Sequence, residues 1–292
     1  YPTWNDVLLR AAADEMDYLA VHNAYFPMIF GKTGLGYKEV YQSLWAAPEA
    51  VSRSLKDLDA MISRNEKSRR IEIAITEWGA LFSMDKYWVD HVKTMGTAGY
   101  VARLIQVFLA QPRVTLANYF KFADRTFMGW VGYDKKPKPA YFALQLFSRY
   151  FGTRLVETSV QSPTYNIHAV GVMTEEKGVP EVTAVSSLDD SGKTLYVNLI
   201  NRSWSTVHQV KLETGSFSAA PQAVAWELSA PGVTDHNGRD LPPEVPTDLY
   251  AEPVKHPNAK AMIQLEQKTI DSSALIKIPP YSILTIQLKS RS

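Results

Sequence analysis

The sequence contains no cysteine. Disulfide bonds, thiolate metal sites and cysteine nucleophiles are therefore excluded. No apolar run approaches the length of a transmembrane helix, so no membrane-spanning segment is predicted. An excess of one charge is also lacking, because 31 lysines and arginines stand against 30 aspartates and glutamates, a net charge of +1. So balanced a chain has no strong field to attract nucleic acid or an anionic membrane, and neither is predicted as a partner.

Familiar cofactor and catalytic motifs are missing too. The sequence has no HExxH, no phosphate-binding loop, no GxGxxG and no GxSxG. The histidines other than His22 show no spacing typical of metal ligands, so neither a metal nor a cofactor is predicted. What the chain does have is 46% hydrophobic and 21% charged residues, a composition typical of a folded globular protein.

Helices and strands alternate in the first half of the chain. Helical patterns cover residues 5–16, 48–65, 86–110 and 139–151, and short apolar runs typical of buried strands cover residues 17–22, 71–76 and 114–120. Pro48 is placed near a helix start, where proline is favoured. Strands separated by helices indicate βα units, and they therefore predict a parallel sheet.

The pattern changes after Gly152. Short alternating segments cover residues 182–185, 195–200, 207–212, 223–228, 261–265 and 283–288, with clusters of Gly, Pro, Asn and Asp between them. Short strands with such turn signals predict an antiparallel β-sandwich. We therefore predict two domains, residues 1–152 and residues 153–292.

Three parallel strands cannot close a barrel, because both outer strands keep an unpaired edge. A barrel of parallel strands and helices has about eight strands. About five further strands are therefore predicted, either missing from this sequence or carried by another polypeptide.

Glu77 is the strongest candidate for a catalytic residue. The apolar run that begins at Ile73 ends at this carboxylate, and active sites of parallel barrels are built at the C-terminal ends of the strands. A glutamate in that position can attack an anomeric carbon and form a covalent glycosyl-enzyme. The next residue, Trp78, offers either a flat wall for a sugar face or a core side chain. The alternative for Glu77 is a strand-terminal glutamate that only caps a loop.

Further candidates follow the other two strands. His22 and Tyr25 could hydrogen-bond the nucleophile or the sugar, and a hydroxyl beside a carboxylate favours its ionised form; the alternatives are a core histidine and a packing tyrosine. Asn118 or Lys121 is expected to face the pocket, and Trp130 to close one side of it. Asp124 and Arg125 are interpreted as structural residues, and each of the other three could be structural as well.

Four stretches resemble the clan A glycoside hydrolases, most closely family 51, the α-L-arabinofuranosidases. They are Val21-His22, Ile75-Thr76-Glu77-Trp78, Lys138–Ser148 and Pro279–Leu284. The resemblance covers nearly the whole chain, but only the C-terminal portion of the family. It implies the last three strands of a (β/α)8 TIM barrel, followed by a jelly-roll-like β-sandwich.

The resemblance implies a retaining enzyme in which Glu77 is the nucleophile. The family's acid/base glutamate is absent from this sequence, so activity requires the N-terminal half of the barrel, from a missing segment or a separate chain. The implied substrate is a terminal α-L-arabinofuranosyl residue of arabinan or arabinoxylan, with no cofactor, and we expect an oligomer. Cytoplasmic and secreted locations both stay open.

Several positions depart from the family pattern and bear on the substrate. Thr76 replaces an aspartate, Gly79 replaces an asparagine, Ala24 stands where the tyrosine is expected, and no clear match is found for a glutamine after the last strand. Two alternatives therefore stay open. One is another clan A activity, such as a β-xylosidase, a β-galactofuranosidase or an endoglucanase. The other is a carbohydrate-binding or structural remnant without catalysis.

Overall fold

The computed structural model describes residues 2–22, 24–29, 34–66, 70–82, 93–123, 129–131, 135–237, 239–240, 254–255 and 263–291. Asp124, Arg125 and part of the predicted helix 86–110 lie outside these residues, as do residues 261 and 262 of one predicted strand. In the described part, a parallel sheet with helices precedes a set of antiparallel strands. The predicted order, α/β followed by all-β, is therefore confirmed.

Four strands form the parallel sheet: β1 (Tyr18–Val21), β2 (Ala24–Ile29), β3 (Glu72–Phe82) and β4 (Val114–Tyr119). β1 and β2 pair with successive parts of the same edge of β3, and β4 pairs with the other edge. Each of the three predicted strands is therefore present. The first of them extends beyond residue 22 as β2, which the sequence pattern did not predict.

Four helices accompany this sheet: α1 (Pro2–Ala12, followed by a 3-10 turn, Ala13–Glu15), α2 (Tyr37–Asn65), α3 (Met95–Leu109) and α4 (Pro139–Arg149). The start predicted for the second helix is wrong, because α2 begins at Tyr37 and contains Pro48 in its interior. Burial of Tyr41, Leu44 and Trp45 stabilises the turns before that proline and offsets its missing hydrogen bond. No described helix is both long enough and apolar enough to span a bilayer.

The two faces of the parallel sheet differ. α2 packs on β2, and α3 packs on β3 and β4. Leu19, Ile73 and Ile75 are buried beneath these helices, and we call this the covered face. Tyr18 and Leu116, 53% and 40% exposed, point the other way and define the open face. In the part of the chain that the structure describes, the open face remains accessible to solvent.

The described residues after α4 contain twelve strands: β5 (Arg154–Val156), β6 (Thr164–Ile167), β7 (Glu176–Pro180), β8 (Val182–Leu188), β9 (Thr194–Asn201), β10 (His208–Val210), β11 (Gln222–Leu228), β12 (Arg239–Asp240), β13 (Val254–Lys255), β14 (Glu266–Asp271), β15 (Ile276–Ile278) and β16 (Ile283–Lys289). Six of them form one antiparallel sheet in the order β14-β11-β16-β9-β8-β5. The others form the pairs β6–β7, β10–β15 and β12–β13.

The central strands of the six-stranded sheet, β9, β11 and β16, are buried on both faces. On one face, Val197 and Leu199 of β9 pack with Ile276 and Ile278 of β15 in a small core. On the other face, Ile200 belongs to the large core that contains the helices. This alternation along one strand is the reason that the sheet lies between the helices and the β10–β15 pair.

The predicted strand 261–265 is wrong at residues 263–265, because β14 begins only at Glu266. β14 is an edge strand with mostly exposed side chains, so it carries little hydrophobic signal. The change from helix to antiparallel strand falls between Arg149 and Arg154. Residue 152 lies in this connection, and it must be a glycine because a Cβ there would overlap the carbonyl oxygen of Leu188. A division into two domains at this point stays a prediction.

Candidate active site

A β-bulge in β3 sets the direction of Glu77. Strict alternation along the strand would place Glu77 on the same face as the buried Ile75. Instead, Ile75 pairs with Ala117 and Trp78 pairs with Tyr119, so two residues of β3 lie opposite one residue of β4. The side chain of Glu77 is therefore carried to the open face, and that of Trp78 to the covered face.

Tyr25 contacts Glu77 directly. Its hydroxyl donates a hydrogen bond of 3.1 Å to Oε2 of the carboxylate. Burial raises the pKa of Tyr25, and the hydrogen bond and negative charge of Glu77 raise it further. The hydroxyl therefore keeps its proton at neutral pH and remains a donor. The structure thus brings these two predicted site residues together across β2 and β3.

His22 lies next to this pair but contacts a different residue. Its Nε2 is 2.5 Å from Oγ1 of Thr76, the residue immediately before Glu77. The His22 side chain is exposed, and Thr76 is half-buried. The sequence drew attention to Thr76 only as a departure from the family pattern, and did not predict its contact with His22.

Trp78 and Trp130 lie on the other side of the sheet. Trp78 is 2% exposed, and its ring packs edge-on against Phe108 of α3 and Tyr119 of β4, at centroid distances of 5.2 and 5.0 Å. Trp130, which is 8% exposed, stacks on Tyr119 at 4.3 Å. Phe108, Trp78, Tyr119 and Trp130 thus form one aromatic cluster, and among the described residues the ring contacts of both tryptophans are made within it.

Asn118 is the β4 residue opposite the bulge. It lies between Ala117 and Tyr119, and its side chain is exposed. Its position is compatible with the expected direction toward the pocket. Lys121 follows the end of β4, where its Nζ lies 5.5 Å from the ring centre of Phe120.

Two contacts from outside the sheet hold β2 in place. The buried Tyr100 of α3 donates a 2.8 Å hydrogen bond to the carbonyl oxygen of Ala24, the residue before Tyr25. From the antiparallel part, the backbone N–H of Val172 donates a 2.9 Å bond to the carbonyl of Pro27. Sequence reasoning missed both contacts, because only the fold brings these segments to β2.

The chemistry available at this site is that of a carboxylate with a hydrogen-bonding tyrosine beside it. Among the described residues, the hydrogen bond to the Glu77 side chain is the one from Tyr25. No group of three or more histidine, aspartate or glutamate residues suited to a metal ion occurs in that part of the chain. Such a carboxylate can serve as a nucleophile or as a base toward a substrate on the open face.

Comparison with known proteins gives a likeness of fold. No protein-family model and no curated protein sequence matches the chain. An α-L-arabinofuranosidase from Thermotoga maritima, solved as an arabinose complex, aligns with 99% of this chain at 20% identity and a TM-score of 0.70. The thermostable family 51 α-L-arabinofuranosidase from Thermotoga petrophila also covers 99%, at 20% identity and a TM-score of 0.72. CelM2, a bifunctional glucanase-xylanase from a metagenome library, covers 99%, at 15% identity and a TM-score of 0.57.

The match is to a part of each of these proteins. The aligned region is 56% of each of the two arabinofuranosidase chains and 47% of CelM2. In fold, the chain resembles the C-terminal part of the family 51 α-L-arabinofuranosidases, and it spans little more than half of their length.

Proposed function

We propose that this chain is the C-terminal part of a retaining glycoside hydrolase that releases terminal α-L-arabinofuranosyl residues from arabinan or arabinoxylan. In this proposal β1 with β2, β3 and β4 are the last three strands of a (β/α)8 barrel, and the antiparallel strands are its companion sandwich. The observation that carries the proposal is the β3 bulge, which presents Glu77 on the open face with a hydrogen bond from Tyr25.

Glu77 acts as the nucleophile in this mechanism. One oxygen of the carboxylate attacks the anomeric carbon, while the bond from that carbon to the leaving oxygen breaks. Tyr25 holds Oε2, and in this proposal Oε1 is the oxygen that attacks. The acid/base group, now acting as a base, then takes a proton from a water molecule. The oxygen of that water attacks the same carbon, the bond from the carbon to Glu77 breaks, and the sugar and the free carboxylate are released.

The acid/base group comes from outside these 292 residues. In a retaining enzyme it protonates the leaving oxygen and lies about 5–5.5 Å from the nucleophile. We assign it to the N-terminal half of the barrel, either on a preceding segment or on a separate chain. The exposed Tyr18 and Leu116 on the open face, and the additional length of the fold relatives, support this assignment.

Another clan A specificity is the second candidate, because the glucanase-xylanase CelM2 shares the fold across 99% of this chain. Thr76 and Gly79, which depart from the arabinofuranosidase pattern, lie on either side of the Glu77-Trp78 pair. A panel of aryl α-L-arabinofuranosides, β-xylosides, β-galactofuranosides and β-glucosides distinguishes these activities. Hydrolysis of none of them by the complete protein would favour a carbohydrate-binding remnant.

Replacement of Glu77 by glutamine tests the proposal. In the complete enzyme, this chain together with the rest of the barrel, Glu77→Gln is expected to lower kcat for 4-nitrophenyl α-L-arabinofuranoside by about 10⁴-fold or more. Intact-mass spectrometry with an activated aryl arabinofuranoside is expected to detect a covalent pentosyl adduct on the wild type but not on the variant.

Glu72→Gln is the matched control. Glu72 belongs to the same strand but accepts a hydrogen bond from Thr115 at the opposite end of the sheet, so its loss should leave turnover nearly unchanged. Near-normal turnover by Glu77→Gln would refute the nucleophile assignment. Robust hydrolysis by the 292 residues alone would refute the assignment of the acid/base to another segment.

A further inference from the structure

The β3 bulge brings two consecutive side chains to the same side of the strand. Thr76 and Glu77 both lie between the paired positions Ile75 and Trp78, where β4 contributes only Asn118. A bulge of this kind re-aims side chains and bends its strand locally. Thr76 is therefore a neighbour of the carboxylate on the open face, and does not point into the helix layer.

Each of these two residues engages a different partner, Tyr25 on β2 and His22 in the connection between β1 and β2. Tyr25 donates to Glu77 at 3.1 Å, whereas His22 lies 2.5 Å from the Thr76 hydroxyl. Among the described residues, the His22 ring forms its hydrogen bond through Nε2. The other ring nitrogen, Nδ1, is therefore the one that we assign to a ligand. The exposed imidazole is thus held by a residue of the β3 bulge.

We propose that Thr76 is a positioning residue that fixes the ring of His22 for a hydrogen bond between Nδ1 and a sugar hydroxyl. This inference rests on the function proposed above. Threonine suits the role because its β-branched side chain has a restricted χ1, so its hydroxyl is directed by the backbone. An exposed histidine without such a contact would have to be ordered by each substrate molecule at a cost in affinity.

The contacts of Thr76 and Glu77 assign them different roles: Thr76 positions His22, and Glu77 attacks the sugar. A carboxylate that bound both His22 and Tyr25 would have both oxygens occupied, whereas Glu77 has one oxygen bonded to Tyr25. Thr76 takes the histidine instead. The hydroxyl therefore keeps His22 in place, and among the described residues the second oxygen of Glu77 carries no hydrogen bond.

Removal of the hydroxyl tests this inference. In the complete enzyme, Thr76→Val keeps the shape of the side chain and is expected to lower kcat/KM for 4-nitrophenyl α-L-arabinofuranoside about tenfold. Thr76→Ser restores the hydroxyl and should recover most of that loss. The combination of Thr76→Val with His22→Ala should be no worse than His22→Ala alone, because a positioning residue has no effect once its target is absent.

Thr115→Val is the matched control. Thr115 is an exposed threonine on β4, and its hydroxyl donates to Glu72 at 2.8 Å, away from the site. The same chemical change there should leave kcat/KM within about twofold of wild type. Additive losses in the double variant, or an unchanged kcat/KM in Thr76→Val, would overturn the inference.

A spectroscopic measurement separates this inference from the proposed function. Long-range ¹H–¹⁵N spectra report the tautomer and the hydrogen bonding of each histidine ring, and the His22→Ala variant identifies the His22 signals. Thr76→Val is expected to shift both His22 nitrogen resonances toward the values of a free imidazole, whereas Thr115→Val leaves them in place. Unmoved resonances would overturn the Thr76–His22 contact even if Glu77 proved to be the nucleophile. Shifted resonances together with an active Glu77→Gln enzyme would refute the proposed function and leave that contact standing.

Discussion

The two faces of β3 are built from different kinds of residue, although they alternate along a single strand. On the covered face, Ile73, Ile75 and Trp78 are all at most 2% exposed. On the open face, Thr76 and Glu77 are half-buried, and their described side-chain contacts are hydrogen bonds, to His22 between β1 and β2 and to Tyr25 of β2. Stability is thus concentrated on one side of the strand and the candidate chemistry on the other, so mutations should separate the two.

The largest effect is expected on the covered face. Trp78→Ala removes a ring that packs against Phe108 and Tyr119, and should lower the free energy of unfolding by about 3–5 kcal/mol. Leu116→Ala on the open face should cost less than about 1 kcal/mol in the same 292-residue chain, because Leu116 is 40% exposed. Urea unfolding of both variants measures the contrast. Equal losses would contradict the difference between the faces.

The next largest effect is a pH-dependent contribution to stability. It comes from an ion-pair cluster where the helices of the covered face meet the antiparallel strands. Glu49 of α2 contacts Arg103 of α3 and the fully buried Arg202, each at 3.0 Å. Burial alone would raise the pKa of Glu49, but attraction and hydrogen bonds from the two arginines outweigh it and lower the pKa from 4.5 to about 2. A carboxyl whose pKa is depressed on folding stabilises the fold above its unfolded pKa, by about 3 kcal/mol here.

That stabilisation should be lost as the pH falls from about 5 toward 2. Glu49→Gln should therefore unfold more easily than the wild type at pH 7, and the difference should shrink as the pH approaches 3. Urea titrations at the two pH values check this. Glu175→Gln is the control, since Glu175 is 55% exposed and its pair with Lys177 contributes little. A difference that does not depend on pH would show that the charge of Glu49 is not the cause.

A smaller loss of stability is expected from substitutions where the antiparallel part contacts the edge of β2. Gly171 has φ +61°, and a Cβ there would overlap the carbonyl oxygen of Pro27. Gly178 has φ +68° with nothing within 4 Å of such a Cβ. Both alanine variants carry the strain of a positive φ, about 1 kcal/mol, but Gly171→Ala should cost about 1–2 kcal/mol more. Equal melting temperatures for the two variants would argue against a close contact at β2.

Much of α2, α3, α4 and β3 could be predicted because each of them buries apolar side chains at regular intervals. The bulge could not, because it exists only in the register of β3 against β4. Its effect is decisive for the site. Simple alternation would direct Trp78 to the open face, as a wall for the sugar, and Glu77 into the helix layer. The bulge exchanges the two, so Glu77 and its neighbour Tyr25 come together while Trp78 becomes a core residue.

In the antiparallel half, too, part of the structure could not be predicted from the sequence, but for another reason. β9, β11 and β16 are buried on both faces, and their apolar content made them visible in the sequence. β6, β7 and β14 carry more exposed side chains, and nothing local to their sequences distinguishes them from loops. Their pairing depends on partners that lie far away along the chain, which no local pattern contains.

A chain of three buried amide and hydroxyl groups crosses from the helices to the antiparallel sheet. Gln106 of α3 donates to Asn198 of β9 at 2.9 Å, and Asn198 donates to Thr285 of β16 at 2.8 Å. A purely hydrocarbon contact would tolerate a helix rotated or shifted by one residue, whereas here every other setting leaves a donor without an acceptor. These hydrogen bonds thus fix one position of α3 relative to the antiparallel sheet. A sandwich grafted from another protein would align α3, and with it the open face, only if it carried the same amide at the position of Asn198.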